Sequence, residues 1–301
     1  MITKIDAAEL QRRLREAQPL TLIDVLPEEV FKAQHLPGAR NACVYEVTFL
    51  DQVKRIGVNP SDPLVVYGAG SGSLDSTVAA KKLDRAGFSQ VFDFSGGRFA
   101  WAAAGGKFEG TGELPPDPPS PEDRTYSVDT GKSMVEWIGR NLNSTHRGTM
   151  RVANGQLRVR SGGLKSGDIT VDVRSLENTD IPDPAMRRVL EAHLKSDDFF
   201  DVEMFPVAKL VIRSSSPLPD ATPGSPNQQV RADLTIKDVT HPIEFPAIIS
   251  GSADRSLIGV AELEIDRTRW NVRYGSGRFF KMLGKHLVND PILLLMKVVA
   301  R

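Results

Sequence analysis

Cysteine is nearly absent: Cys43 is the one thiol in 301 residues. That excludes an internal disulfide and any cysteine-based metal cluster. An excess of either charge is missing too, with 38 basic residues against 38 acidic, so a broad basic footprint for nucleic acid is excluded. No stretch approaches the run of about eighteen apolar residues that a membrane span needs. The opening residues, MITKIDAAELQRRLREA, lack the apolar core of a secretory leader, and the chain reads as cytoplasmic. No spacing of histidine, cysteine or carboxylate matches a metal site. What remains is an ordinary globular composition, 40% hydrophobic and 25% charged. Its length exceeds that of a usual single domain, so two domains are expected.

The most informative stretch runs from Ile181 to Pro206. Asp183 stands as N-cap and Pro184 at the first helical position, where a missing N–H is harmless. Met186, Val189, Leu190 and Leu194 follow at i, i+3, i+4 and i+8, which predicts one apolar helix face lying on something. Upstream, the pattern alternates between strand and helix. Ile5, Asp6, Glu9 and Leu10 make a capping box with a staple, and Leu10 and Leu14 the inner face of a first helix. Leu22–Val25, Leu64–Tyr67 and Val91–Phe94 are apolar runs of buried-strand type. Between the last two lies a helix with Val78, Ala79, Leu83 and Ala86 inward, stopped by Gly87. Such alternation predicts a parallel α/β sheet over residues 1–109. From 110 to 123 the sequence GTGELPPDPPSPED holds five of the twenty prolines, which predicts a semi-rigid spacer.

From 124 to 301 the period becomes two. Leu157 and Val159; Ile169, Val171 and Val173; Val230 to Ile236; Ile243 to Ile249; and Ala261 to Ile265 each alternate with polar residues. Eight or nine strands are expected, enough for an antiparallel barrel able to enclose one small ligand, with the 184–195 helix as its lid. The last strand, Ile292 to Met296, is apolar on both faces. It is suited to line a lumen inside and to meet a second copy, or the lid, outside.

Leu22-Ile23-Asp24-Val25 through Phe31, His35-Leu36-Pro37-Gly38-Ala39-Arg40-Asn41, Gly87-Phe88 and Ser95 to Trp101 together resemble the rhodanese family over roughly residues 3 to 108. The resemblance implies a sulfurtransferase fold whose catalytic cysteine follows the strand Leu64–Tyr67. This sequence has Gly68 there, and the loop Gly68, Ala69, Gly70, Ser71, Gly72 and Ser73 holds no cysteine. The chemistry needs a thiolate among amide donors, and a serine hydroxyl with no base beside it is no substitute. A rhodanese fold without rhodanese catalysis is therefore expected. The rival is an active sulfurtransferase using Cys43 or an unusual loop, possible only if Cys43 is not the core residue its position suggests. The glycines also form an incomplete nucleotide motif, lacking the third glycine or the Lys-Ser/Thr ending. Their amides suit an anion such as sulfate. His35, beside a Pro-Gly turn, is expected to be structural.

His193 to Pro206, Asp233 to Pro242 and Ile265-Asp266-Arg267 through Tyr274-Gly275-Ser276-Gly277 resemble the YceI-like family over about residues 126 to 301. That resemblance implies a lipocalin-like antiparallel barrel with one lid helix, holding a polyisoprenoid such as an isoprenoid quinone or prenyl phosphate, with no cofactor required. Expected lining residues are Trp137, Phe199, Phe200, Phe205, Trp270, Phe279, Phe280, Met282 and Leu283. Between Arg267 and Lys285 lie six basic residues and no acidic one. Of these, Arg273, Arg278 and Lys281, together with His146, are candidates for the ligand's polar head. Expected partners are a long-chain isoprenoid or other apolar lipid and a second copy through the barrel, without nucleic acid or membrane span.

Overall fold

The computed structural model describes residues 2–16, 19–70, 72–115 and 119–301. They form two compact units, 1–117 and 118–301. The first contains β1 (Ile2–Lys4), α1 (Ala7–Arg15), β2 (Thr21–Asp24), α2 (Glu28–Ala33), β3 (Arg40–Asn41), α3 (Phe49–Ile56), β4 (Leu64–Tyr67), α4 (Asp75–Arg85), β5 (Val91–Phe94) and α5 (Gly97–Ala103). Its strands lie in the order β1-β5-β4-β2-β3, all pairings parallel. Every residue of β4 is buried, as a central strand covered on both faces requires. Two apolar layers result, one around Ile23, Val66 and Leu83 and the other around Leu10, Tyr67 and Trp101.

Local chemistry sets the helix faces, and in two places it overrides the apolar pattern. Asp6 caps α1 by accepting from the Glu9 amide at 2.8 Å, but the Glu9 carboxylate turns to Arg12 and Arg13 instead of closing the box. Only Leu10 of α1 is buried and Leu14 is exposed. In α4 the inner residues are Ala79, Ala80 and Leu83, with Val78 and Ala86 outside. The rotation has a cause: Ser76 and Thr77 hydroxyls donate to the two oxygens of buried Asp93 at 2.7 Å each, turning that face of α4 toward β5.

The second unit contains β6 (Thr125–Ser127), β7 (Met134–Arg140), β8 (Thr145–Arg160), β9 (Gly163–Asn178), α6 (Pro184–Lys195), β10 (Val207–Pro217), β11 (Gln228–Ile236), β12 (Val239–Gly251), β13 (Leu257–Asp266) and β14 (Pro291–Ala300). Antiparallel pairing runs β8-β7-β14-β13-β12-β11-β10-β9 and closes on itself through β8–β9. The short β6 continues the β7 side of β8. The result is a closed eight-stranded barrel, an arrangement that leaves no strand edge to aggregate.

The proline-rich stretch is not a free spacer throughout. Thr111 and Gly112 amides donate to Lys32 and Ala33 carbonyls of the first unit, while Pro119 accepts from Gly251 and Asp123 from Ser161 in the second. Backbone hydrogen bonds tie both ends of the segment to the unit beside them. No helix among the described residues is long and apolar enough to cross a membrane.

Candidate functional site

Strand β14 shows where the barrel is hollow. Its residues Ile292, Leu294 and Met296 stay only half-buried, whereas Val298 and Ala300 farther along are fully covered. The first three face a cavity of about 130 Å³ whose accessible wall is entirely apolar. Val135, Trp137 and Ile138 of β7, Val171, Val173 and Leu176 of β9, Leu234 and Ile236 of β11 and Leu263 of β13 complete the sides. A smaller hollow of about 40 Å³, walled by Phe245, Ala247 and Ile249 of β12 among others, lies farther along the barrel. Leu210 and Met296 border both.

The lid is built differently from the helix pattern. Asp183 does cap α6, accepting from the Ala185 amide at 2.8 Å. Yet α6 buries no residue, and Met186 and Val189 are exposed at 58% and 64%. Only Leu194 reaches the cavity, followed by Phe199 and Phe200 from the turn after the helix. Asp201, at φ +46°, and the amides that converge on the Ser196 and Asp201 carbonyls wind that turn inward. The lid contact is thus made by the turn's aromatics rather than by the helix face.

Arg267 closes the site on the other side. It is 3% exposed and lines the cavity, yet its guanidinium donates to Val272, Asn289 and Val288 carbonyls at 2.7, 3.0 and 3.1 Å. Asp290 lies at 3.9 Å. Burial pulls the Arg267 pKa below its usual value, opposed by the Asp290 and Asp266 charges, and the group stays cationic. It knits the 267–290 connection into the barrel end.

The other sequence candidates divide plainly. Trp137, Phe199 and Phe200 line the cavity. The Nε1 of Trp137 is buried without a hydrogen-bond partner among the described residues. Trp270 is wholly buried in the core and donates to the Leu234 carbonyl at 2.9 Å, outside the lining. Phe205 is half-buried beneath Lys237, and Leu283 is half-buried away from the wall. Phe279, Phe280 and Met282 are exposed and contribute nothing to the wall. The reason is the Ser276 turn, whose carbonyl accepts from the amides of Phe279 and Phe280 and throws both rings outward. Of the head-group candidates, Arg273 lies over the Phe279 ring and Arg278 pairs with Asp266 and Asp290. Lys281 is exposed. His146 bonds Asp180 at 3.1 Å in a surface groove outside the cavity. Two cations border the cavity, Lys209 of β10 and Arg267, the latter legible only as one of six in its stretch.

Two carboxylates hold this end together. Burial would raise Asp180, but the Arg147 amide, His146 and Asn178 outweigh it and hold its pKa below the ordinary value. Burial opposes Asp266 in the same way, and the Thr268 hydroxyl and amide with Arg278 hold it low. A depressed folded pKa contributes stability that is complete above the unfolded value of about 3.9 and lost as pH falls through the folded one. Barrel unfolding midpoints should therefore drop below about pH 4. The double substitution Asp180→Asn, Asp266→Asn should flatten that slope, and an unchanged slope would refute the assignment.

In the first unit the glycine loop is filled from within. A side chain at Gly68 would overlap the carboxylate of Asp75, which accepts from the Ala69 amide at 3.0 Å and the Ser76 amide at 2.8 Å. Asp75 is buried, and its carboxyl group fills the place where the rhodanese pattern puts a thiolate. The same carboxylate takes the Ala69 amide that an external anion would need. Gly70 packs against Gly96 and Phe99, and Ser71 lies outside the described residues. Cys43 is buried, its amide donating to Gln52 at 2.7 Å. His35 stacks on Phe31 and bonds its carbonyl at 2.7 Å. Among the described residues no group of three or more His, Cys, Asp or Glu is placed to hold a metal.

A model of the YceI-like domain matches residues 126–300. The chain belongs to the YceI-like family. A rhodanese-like domain model matches residues 6–104, so the YceI-like barrel carries a rhodanese-like unit ahead of it. Solved structures similar to the chain include BcnA of Burkholderia cenocepacia, at 23% identity and TM-score 0.46 over 58% of this chain and 99% of that one. A polyisoprenoid binding domain from Saccharophagus degradans matches at 13% and 0.43 over 58% and 97%. The rhodanese-like domain of the Anabaena Alr3790 protein matches at 30% and 0.33 over 40% and 90%. No curated protein matches the chain significantly.

Proposed function

We propose that the YceI-like barrel binds and carries a long apolar lipid, a polyisoprenoid such as an isoprenoid quinone or prenyl phosphate, while the rhodanese-like unit is catalytically silent. One observation carries the first half: the apolar cavity of about 130 Å³ inside a closed barrel. Each enclosed CH₂ contributes about 0.8 kcal/mol, so about twenty carbons give roughly 16 kcal/mol gross. Ordering the ligand removes much of this. Nothing in the wall attacks or activates a bound molecule, so the chemistry supported is sequestration from water. Organic extraction of the purified protein followed by mass spectrometry should release such a lipid. No lipid, together with no uptake of added isoprenoid, would sink the reading.

For the second half, support comes from the Asp75 carboxylate beside Gly68. The protein should form no thiocyanate from thiosulfate and cyanide. Gly68→Cys alone should not install the activity, because Asp75 crowds the new thiol and its charge raises the thiol's pKa. Thiocyanate formation that is lost on Cys43→Ser would overturn the silent reading.

A further inference from the structure

Antiparallel connectivity brings four connections to one barrel end: those between β7 and β8, β9 and β10, β11 and β12, and β13 and β14. The cavity abuts this end through Phe199, Phe200, Arg267 and Val288. The β13–β14 connection displays Phe279 and Phe280 at 45% and 46% exposure, and Met282 is fully exposed. Met204, from the β9–β10 connection, adds a further exposed apolar side chain. Among the described residues, the connections at the opposite end expose no large apolar side chain. Met282 also adopts φ +59°, a conformation that costs a residue with a side chain roughly 1–2 kcal/mol. Neither burial nor backbone preference accounts for a methionine there.

The charge along residues 267–285 is one-sided, although exposed Glu203 and Asp238 stand on neighbouring connections of the same end. Arg267 is buried and Arg278 is paired with Asp266 and Asp290. Among the described residues no carboxylate lies within ion-pair distance of Arg273, Lys281 or Lys285. Exposed aromatic and methionine side chains rimmed by unpaired cations fit the boundary of an anionic bilayer, where rings enter the head-group layer and cations meet phosphates. A second copy whose two-fold axis passed through the tip would set the same cations against each other. We infer that the tip formed by Phe279, Phe280, Lys281 and Met282 docks this end of the barrel onto an anionic lipid bilayer. Docking concerns the surface rather than the cavity's content and requires no isoprenoid.

The test floats the full chain with vesicles of phosphatidylcholine alone and of phosphatidylcholine with phosphatidylglycerol. The expected result is flotation with the anionic vesicles, weakened by salt. Lys281→Glu should lower partitioning by more than about fivefold, since each basic residue near the surface contributes roughly that factor. The triple substitution Phe279→Ser, Phe280→Ser, Met282→Ser should lower it at least about tenfold. All three residues are exposed, so an unchanged circular dichroism spectrum accompanies the loss. Failure of the unaltered protein to float, or equal flotation of the triple variant, overturns the inference. A lipid-free dimer that the triple substitution dissolves also overturns it, in favour of a second copy. Extracting lipid from the same preparations keeps the two readings apart: cargo without flotation sinks docking alone, and flotation without cargo sinks carriage alone.

Discussion

Phe200→Asp should purify without bound lipid and take up added isoprenoid at least about a hundredfold less well than the unaltered protein. The side chain lines the cavity beneath the lid, where the accessible wall is wholly apolar. A carboxylate placed there either stays ionised, drawing water into the hollow, or protonates and still displaces hydrocarbon contact. Either course costs several kcal/mol, and a hundredfold corresponds to about 2.7 kcal/mol. Because Phe200 is only half-buried, the fold should survive. Uptake measured by tritiated or fluorescent isoprenoid, alongside a thermal melt, separates the outcomes. Retained uptake in a folded variant would remove Phe200 from the site and leave the cavity's use unsupported.

Arg267→Met should cost about 3–5 kcal/mol of barrel stability, the range for breaking a buried charged group's hydrogen bonds. The substitution fills similar volume but leaves the Val272, Val288 and Asn289 carbonyls without their donor and Asp290 without its nearest buried cation. Urea denaturation in a Trp101→Phe, Trp137→Phe background, where Trp270 in the core beside this connection is the one tryptophan left, reports the loss. The β13–β14 connection should also become the first segment to exchange its amides. A loss below about 1 kcal/mol would show that the connection is held by packing instead.

Much was legible before any coordinates because periodicity is local. The switch from alternating strands and helices to a period of two separated the parallel sheet from the barrel, and the Asp183-Pro184 pair located α6. Trp137, Phe199 and Phe200 border the hollow. Trp270, Phe279, Phe280 and Met282 share the same hydrophobic character yet go to the core or to solvent. Within an irregular connection there is no repeat to reveal direction, and the turn at Ser276 alone decides it. The outward face of α6 escaped for the complementary reason. An apolar stripe predicts contact, but the inward-wound turn after the helix supplies the contact first.

The chain's own order of residues determined the two units, the alternation that marks each strand, and the missing thiol at Gly68. Those are properties of neighbours along the backbone, written one residue after another. Only the tertiary structure decided that Arg267 spans three carbonyls and that the Asp75 carboxylate fills the glycine loop. It also decided that the wider hollow lies under Ile292, Leu294 and Met296 of β14 and the narrower one beyond them. Cavities and buried charges are made by residues distant in sequence, and their energies depend on distances that folding alone sets.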